Sequence, residues 1–194
     1  MWQRRSWILR ACGSLGAWSS VVFLGGCASQ PPRKLNASGQ ACLVLQRPRR
    51  LICSDAPAPS VEAERDIREL GPVADAISVY LIRRRIGDVG GAVPISIDGL
   101  RSLTVPPFSM ARLRLSSGRH RLLLTWQGEE AALEIGGQAG SVRFIELYRS
   151  SGFWTSHGRY NWRLIEKENM ADLALDCRVI ADLDVRSPPS TRVG

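Results

Sequence analysis

Between residues 77 and 148 the chain is a succession of short runs rich in strand formers, each cut off by turn-forming residues. That pattern excludes a helical bundle, which needs longer stretches of 3.6-residue periodicity. The runs are 77–83 (ISVYLIR), 93–97 (VPISI), 103–105, 111–115 (ARLRL), 120–126 (HRLLLTW), 131–135 (AALEI) and 142–148 (VRFIELY). The breaks between them hold Gly, Pro, Ser and Asp, and Asp98-Gly99 is a strong hairpin signal. In 111–115, Arg112 and Arg114 share the face opposite Leu113 and Leu115. Residues 162–165 add a weaker strand. Two short helices flank the strands. One spans 61–70, capped by Ser60, with Glu62 and Glu64 in its first turn and Gly71-Pro72 as its stop. The other spans 167–177, with Met170, Leu173, Ala174 and Cys177 at helical spacing. The expectation is a mainly β fold, a small antiparallel β-sandwich with a short N-terminal and a short C-terminal helix.

The N-terminus carries a different message. Residues 1–10 hold three arginines and no acid, and 11–24 hold no charge and several large apolar residues. An apolar run of that length matches a signal peptide and falls short of a bilayer-spanning helix. It ends in Leu24-Gly25-Gly26-Cys27. This resembles the lipobox of bacterial lipoproteins, which implies cleavage before Cys27, a diacylglyceryl group on its sulfur and acylation of its new amino group. Several acyl chains on one residue anchor stably, whereas one chain does not. Arg4-Arg5-Ser6-Trp7-Ile8-Leu9 partly resembles a twin-arginine signal, so the export route stays open. Ala28 and Ser29 follow the cysteine. By analogy with enteric lipoproteins, the lack of aspartate after Cys27 implies the periplasmic face of the outer membrane in a Gram-negative host.

The net charge is +8, but three of the arginines precede Cys27, so the remaining chain is less basic. With export expected, a nucleic-acid partner is not. Residues 27–40 read as the lipidated cysteine and a flexible tether. Residues 41–72 read as a hairpin plus the first helix, 73–180 as the sandwich and 181–194 as a frayed tail. In 42–53 (CLVLQRPRRLIC) two apolar runs flank a proline turn, and Cys42 and Cys53 stand at the open ends. A disulfide between them suits an oxidising compartment. Cys177 is then either a buried thiol or an alternative partner for Cys42 or Cys53.

Four segments, Val79-Tyr80-Leu81-Ile82-Arg83, Ile97-Asp98-Gly99, Gly118-Arg119-His120 and Phe144-Ile145-Glu146-Leu147, occur in an order that resembles the DUF2846-type domain of bacterial lipoproteins. That family is similar to PEGA and transthyretin-like sandwiches. The resemblance covers roughly residues 73–180 and departs at Pro106-Pro107 and in 149–160. It implies a structural domain with no catalytic residues to carry over.

The residues able to do chemistry are few. His120 is a base or ligand on one reading and a turn residue on the other, and it has no acidic or serine neighbour in a familiar catalytic spacing. His157 lies near Phe153, Trp154, Arg159 and Tyr160. Such a loop either binds a ligand through stacking and cation–π contacts or caps the sandwich edge. Arg84 and Arg85, in the run after 77–83, either meet anionic groups or form a solvated face. No metal or cofactor is expected. The leading expectation is a non-enzymatic lipoprotein, anchored in the membrane through Cys27, whose sandwich contacts envelope proteins or cell-wall components. The alternatives are an accessory lipoprotein of an envelope or secretion complex, and a cell-wall hydrolase.

Overall fold

The computed structural model describes residues 34–46, 49–84, 91–150 and 158–186. The first elements are β1 (Lys34–Leu35), β2 (Gln40–Gln46) and β3 (Arg49–Pro57), which form a three-stranded antiparallel sheet in that order. The Asn36 carboxamide oxygen closes the β1–β2 turn by accepting from the backbone N–H groups of Ser38 and Gln40. The expected tether therefore ends earlier than residue 40, because residues 34–40 already belong to the folded unit. Cys42 and Cys53 pair across β2 and β3 and form a disulfide. Cys177 is a buried free thiol. Ser60 caps helix α1 (Val61–Arg68) by accepting from the Ala63 N–H at 3.2 Å.

The sandwich follows. Its strands are β4 (Ile77–Arg83), β5 (Val93–Ile97), β6 (Arg101–Val105), β7 (Ser109–Leu115), β8 (Gly118–Trp126), β9 (Glu129–Gly137), β10 (Val142–Ser150) and β11 (Arg159–Leu164). Helix α2 (Lys167–Ala174) and strand β12 (Arg178–Asp184) complete it. One sheet has the order β6-β5-β8-β9 and is antiparallel throughout. The other has the order β11-β10-β4-β7-β12. It is mixed, because β10 runs parallel to β4 and β12 runs parallel to β7. The mainly β sandwich is as expected, but the purely antiparallel pairing is not. Parallel neighbours are joined by distant chain segments, so no local turn signal announces them.

Every residue of β4 is buried. Alternation sends Ile77, Val79 and Leu81 to the core between the sheets, and Tyr80 and Ile82 to a second core. The second core takes Ile67 and Leu70 from the α1 segment and Met170 and Ala174 from α2. The domain thus has three layers: helices, mixed sheet, antiparallel sheet. A strand covered on both faces reads as a continuous apolar run, which is what ISVYLIR is.

Strand β12 was not expected, and it carries the sandwich past residue 180 into the segment read as a frayed tail. A register shift between Val179 and Ala181 breaks its alternation. Asp182 and Asp184 suggest a polar end, yet each faces an arginine of β7 across the ladder: Asp182 opposite Arg112, Asp184 opposite Arg114. Arg112 is buried, with Nε and Nη2 donating to the two Asp182 oxygens at 3.0 and 2.8 Å and Nη1 to Asp66 of α1. Burial alone would lower the Arg112 pKa, but these carboxylates hold it above its ordinary value.

At the edge of the antiparallel sheet, β6 is guarded by the Asp55 side chain. Its two oxygens accept from the Thr104 N–H at 2.6 Å and the Thr104 hydroxyl at 3.0 Å. A carboxylate there occupies the donor that an added strand would seek.

Candidate binding cleft

A cleft of about 800 Å³ opens beside the β8–β9 turn, lined by Trp126, Glu129, Glu130, Arg159, Tyr160 and Asn161 among others. The turn is built by Gln127 and Gly128, both with positive φ (53° and 82°), between the paired residues Trp126 and Glu129. Two left-handed residues in a two-residue loop match the twist of the strands they join. On the other side, Trp162 of β11 donates its indole N–H to the Ala131 carbonyl at 2.9 Å, tying the two sheets together along this edge.

Pairing across the hairpin puts Glu129 on the same face as Trp126 and sends Glu130 to the opposite face. The two carboxylates therefore do not converge as an acid–base pair. Glu129 instead receives Arg159 Nη2 at 3.3 Å, an exposed ion pair at the mouth. The indole N–H of Trp126 is buried with no acceptor among the described residues, so it is a free donor within the lining. The cleft offers an aromatic surface, one free donor and an ion pair, which suits binding of a polar chain.

Tyr160 is not part of an open aromatic surface. It is buried, its ring meets the edge of Trp126 at 5.1 Å, and its hydroxyl accepts from Arg83 Nη2 at 2.6 Å. Arg83 is itself fully buried. Its Nη1 donates to the carbonyls of Gly91 and Val105, and its guanidinium lies 4.8 Å from the Tyr160 ring centre. The arginine run is thus divided by the strand's alternation. Arg83 points into the sandwich, and Arg84 meets Asp176 just beyond α2. Arg84 and the cleft residue Arg159 do not form one site. Of the other expected contact residues, Arg85, Phe153, Trp154 and His157 lie outside the described residues, as does Cys27.

His120 does have an acidic neighbour. Its Nδ1 lies 2.6 Å from Asp98 and its Nε2 2.8 Å from the Ser116 carbonyl. Asp98, at φ 53°, also accepts from the Arg121 N–H. With both ring nitrogens against oxygen acceptors, His120 clasps the β5–β6 turn to β8. The Cys177 thiol is pushed up to about 12 by burial, so it stays protonated and weakly nucleophilic at neutral pH. Among the described residues no group of three or more His, Cys, Asp or Glu is placed to hold a metal ion, and no helix is long and apolar enough to cross a membrane.

No family model matches this sequence, and comparisons with curated proteins and with solved structures find no match. The reading of function therefore rests on the chain's own chemistry. Sequence reasoning missed Trp126, Glu129 and Asn161 as cleft residues. Gln127-Gly128 was the available signal, since it marks the turn that places the first two.

Proposed function

We propose that this chain is an envelope lipoprotein, held to the membrane by acyl chains on Cys27, whose sandwich acts as a non-enzymatic interaction module in the periplasm. The observation that carries the reading is Leu24-Gly25-Gly26-Cys27 at the end of a basic and then apolar N-terminus. Two further features support it. The folded unit carries a cross-strand disulfide, a bond that persists in oxidising compartments. The side chains best suited to nucleophilic or acid–base work, Cys177 and His120, are respectively buried and clasped. The cleft at Trp126 and Arg159 is the contact surface in this reading, with an envelope protein or a cell-wall strand as its occupant.

Two measurements test the two halves. Cells fed labelled palmitate incorporate it into wild type and not into Cys27→Ser; an unlabelled wild type refutes the anchor. A photo-crosslinker placed at Arg159 yields a discrete envelope adduct. If it yields none in cells where the labelled protein is abundant, the cleft is not the contact surface.

A further inference from the structure

The β2–β3 hairpin carries more apolar surface than the fold uses. Near the disulfide it is part of the domain: Ala41 and Ala56 lie in the main core, and Arg178 donates to the Cys42 carbonyl at 2.7 Å. Beyond the disulfide the situation changes. Leu43 pairs with Ile52 and Val44 with Leu51, so these successive pairs point to opposite faces of the hairpin. None of the four belongs to either hydrophobic cluster, and Leu51 is 60% exposed. Arg50, beside them, is exposed too. The segment 43–52 holds three arginines and no acid.

Chain direction says what this arm faces. Strand β1 runs antiparallel to β2, with Leu35 opposite Ala41 and Lys34 opposite Cys42. Going backwards from Lys34, the chain heads along β2 towards Leu43 and Val44, the free end of the arm. Seven steps separate Lys34 from Cys27. At 3.3–3.6 Å each they reach about 25 Å at most. A lipidated Cys27 therefore brings the bilayer surface to the side on which the arm projects.

We propose that the β2–β3 hairpin docks on the membrane, with Leu51 and Val44 entering the headgroup boundary and Arg50 meeting anionic lipid. The disulfide at its root holds the arm rigid, so that docking sets the orientation of the sandwich above the surface. The proposal rests on the lipoprotein reading of Cys27. Apolar side chains beside arginines are the composition that binds such interfaces, and a second signal strengthens an acyl anchor.

The test uses the full, processed protein in vesicles of phosphatidylglycerol and phosphatidylcholine brominated in its acyl chains. Tryptophan emission is compared between wild type, Leu51→Trp and Leu100→Trp. Leu100 is 71% exposed in the β5–β6 turn. That turn is clasped to β8 by Asp98 and His120, at the end of the sandwich where β7 leaves, whereas the hairpin root packs against 106–109, where β7 enters. The added emission of Leu51→Trp is quenched and that of Leu100→Trp is not. Adding Arg50→Ala to Leu51→Trp lowers the docked-to-free ratio about fivefold on anionic vesicles, the effect expected per arginine at such a surface. An unquenched Leu51→Trp in protein that carries acyl mass and floats with the vesicles overturns the docking proposal and leaves the anchor standing. Quenching replaced by hairpin-to-hairpin crosslinks means a second copy covers the arm, which also overturns it. Protein without acyl mass that fails to float removes the lipoprotein reading, and docking with it.

Discussion

Replacing Tyr160 by phenylalanine removes one oxygen from the interior and nothing else. The ring keeps its place against Trp126, and the loss falls on Arg83 Nη2, whose 2.6 Å hydrogen bond has no acceptor left. Arg83 is fully buried, so water does not fill the vacancy at no cost. Hydrogen bonds to charged groups contribute about 1.5–3 kcal/mol, and an orphaned buried donor costs a similar amount. The expected destabilisation is therefore about 2 kcal/mol. With a urea slope of about 2 kcal/mol per molar, the unfolding midpoint falls by about 1 M. The assay is urea unfolding of the processed protein followed by far-ultraviolet circular dichroism. Arg159→Ala serves as the comparison, since its partner Glu129 and Arg159 itself are both exposed and a surface change stays within about 0.5 kcal/mol. If Tyr160→Phe moves the midpoint no more than Arg159→Ala does, Tyr160 is not the acceptor of a buried charge and the account of the cleft floor is wrong.

Other outcomes follow from the same structure. Cys42→Ser with Cys53→Ser opens a loop with a sequence separation of 11. The double variant loses about 3 kcal/mol in the chain-entropy view, read as a lower urea midpoint under non-reducing conditions. Arg112→Ala leaves Asp182 without its bidentate partner and costs about 3 kcal/mol, read in the same assay. Arg186 beside it holds the Asp184 carboxyl at about 2, below its ordinary 3.8. A carboxyl lowered on folding stabilises the fold above the unfolded pKa and loses that contribution as pH falls towards the folded one. Asp184→Asn therefore lowers the midpoint at pH 6, and its gap from wild type narrows as the pH falls through 3.8 towards 2. A gap that persists at pH 2 contradicts the assignment.

The antiparallel sheet was legible because its strands are neighbours in sequence and its turns announce themselves. Asp98 and Gly99 both take positive φ, as an Asp-Gly turn demands. The α1 start was legible for the same local reason, an N-capping serine ahead of two glutamates. The mixed sheet was not. Its pairings of β10 with β4 and β12 with β7 join distant segments, and β12 hides its pattern behind a bulge and two aspartates that only make sense opposite Arg112 and Arg114. Arg83 was misread with Arg84 as one basic surface because a run of like residues says nothing about which face each will take. The apolar continuity of ISVYLIR was the clue. A strand covered on both faces sends its next residue inward as well, and Arg83 is tolerated there because Tyr160, Gly91 and Val105 supply acceptors.

The measurement that bears most directly on the central claim is the intact mass of the protein extracted from membranes, beside a Cys27→Ser variant, under non-reducing conditions. The account predicts a wild-type chain that begins at Cys27, carries added acyl mass and lacks the two hydrogens of the Cys42–Cys53 thiols, with the variant left unprocessed. A wild-type chain that retains residues 1–26 and bears no lipid contradicts it.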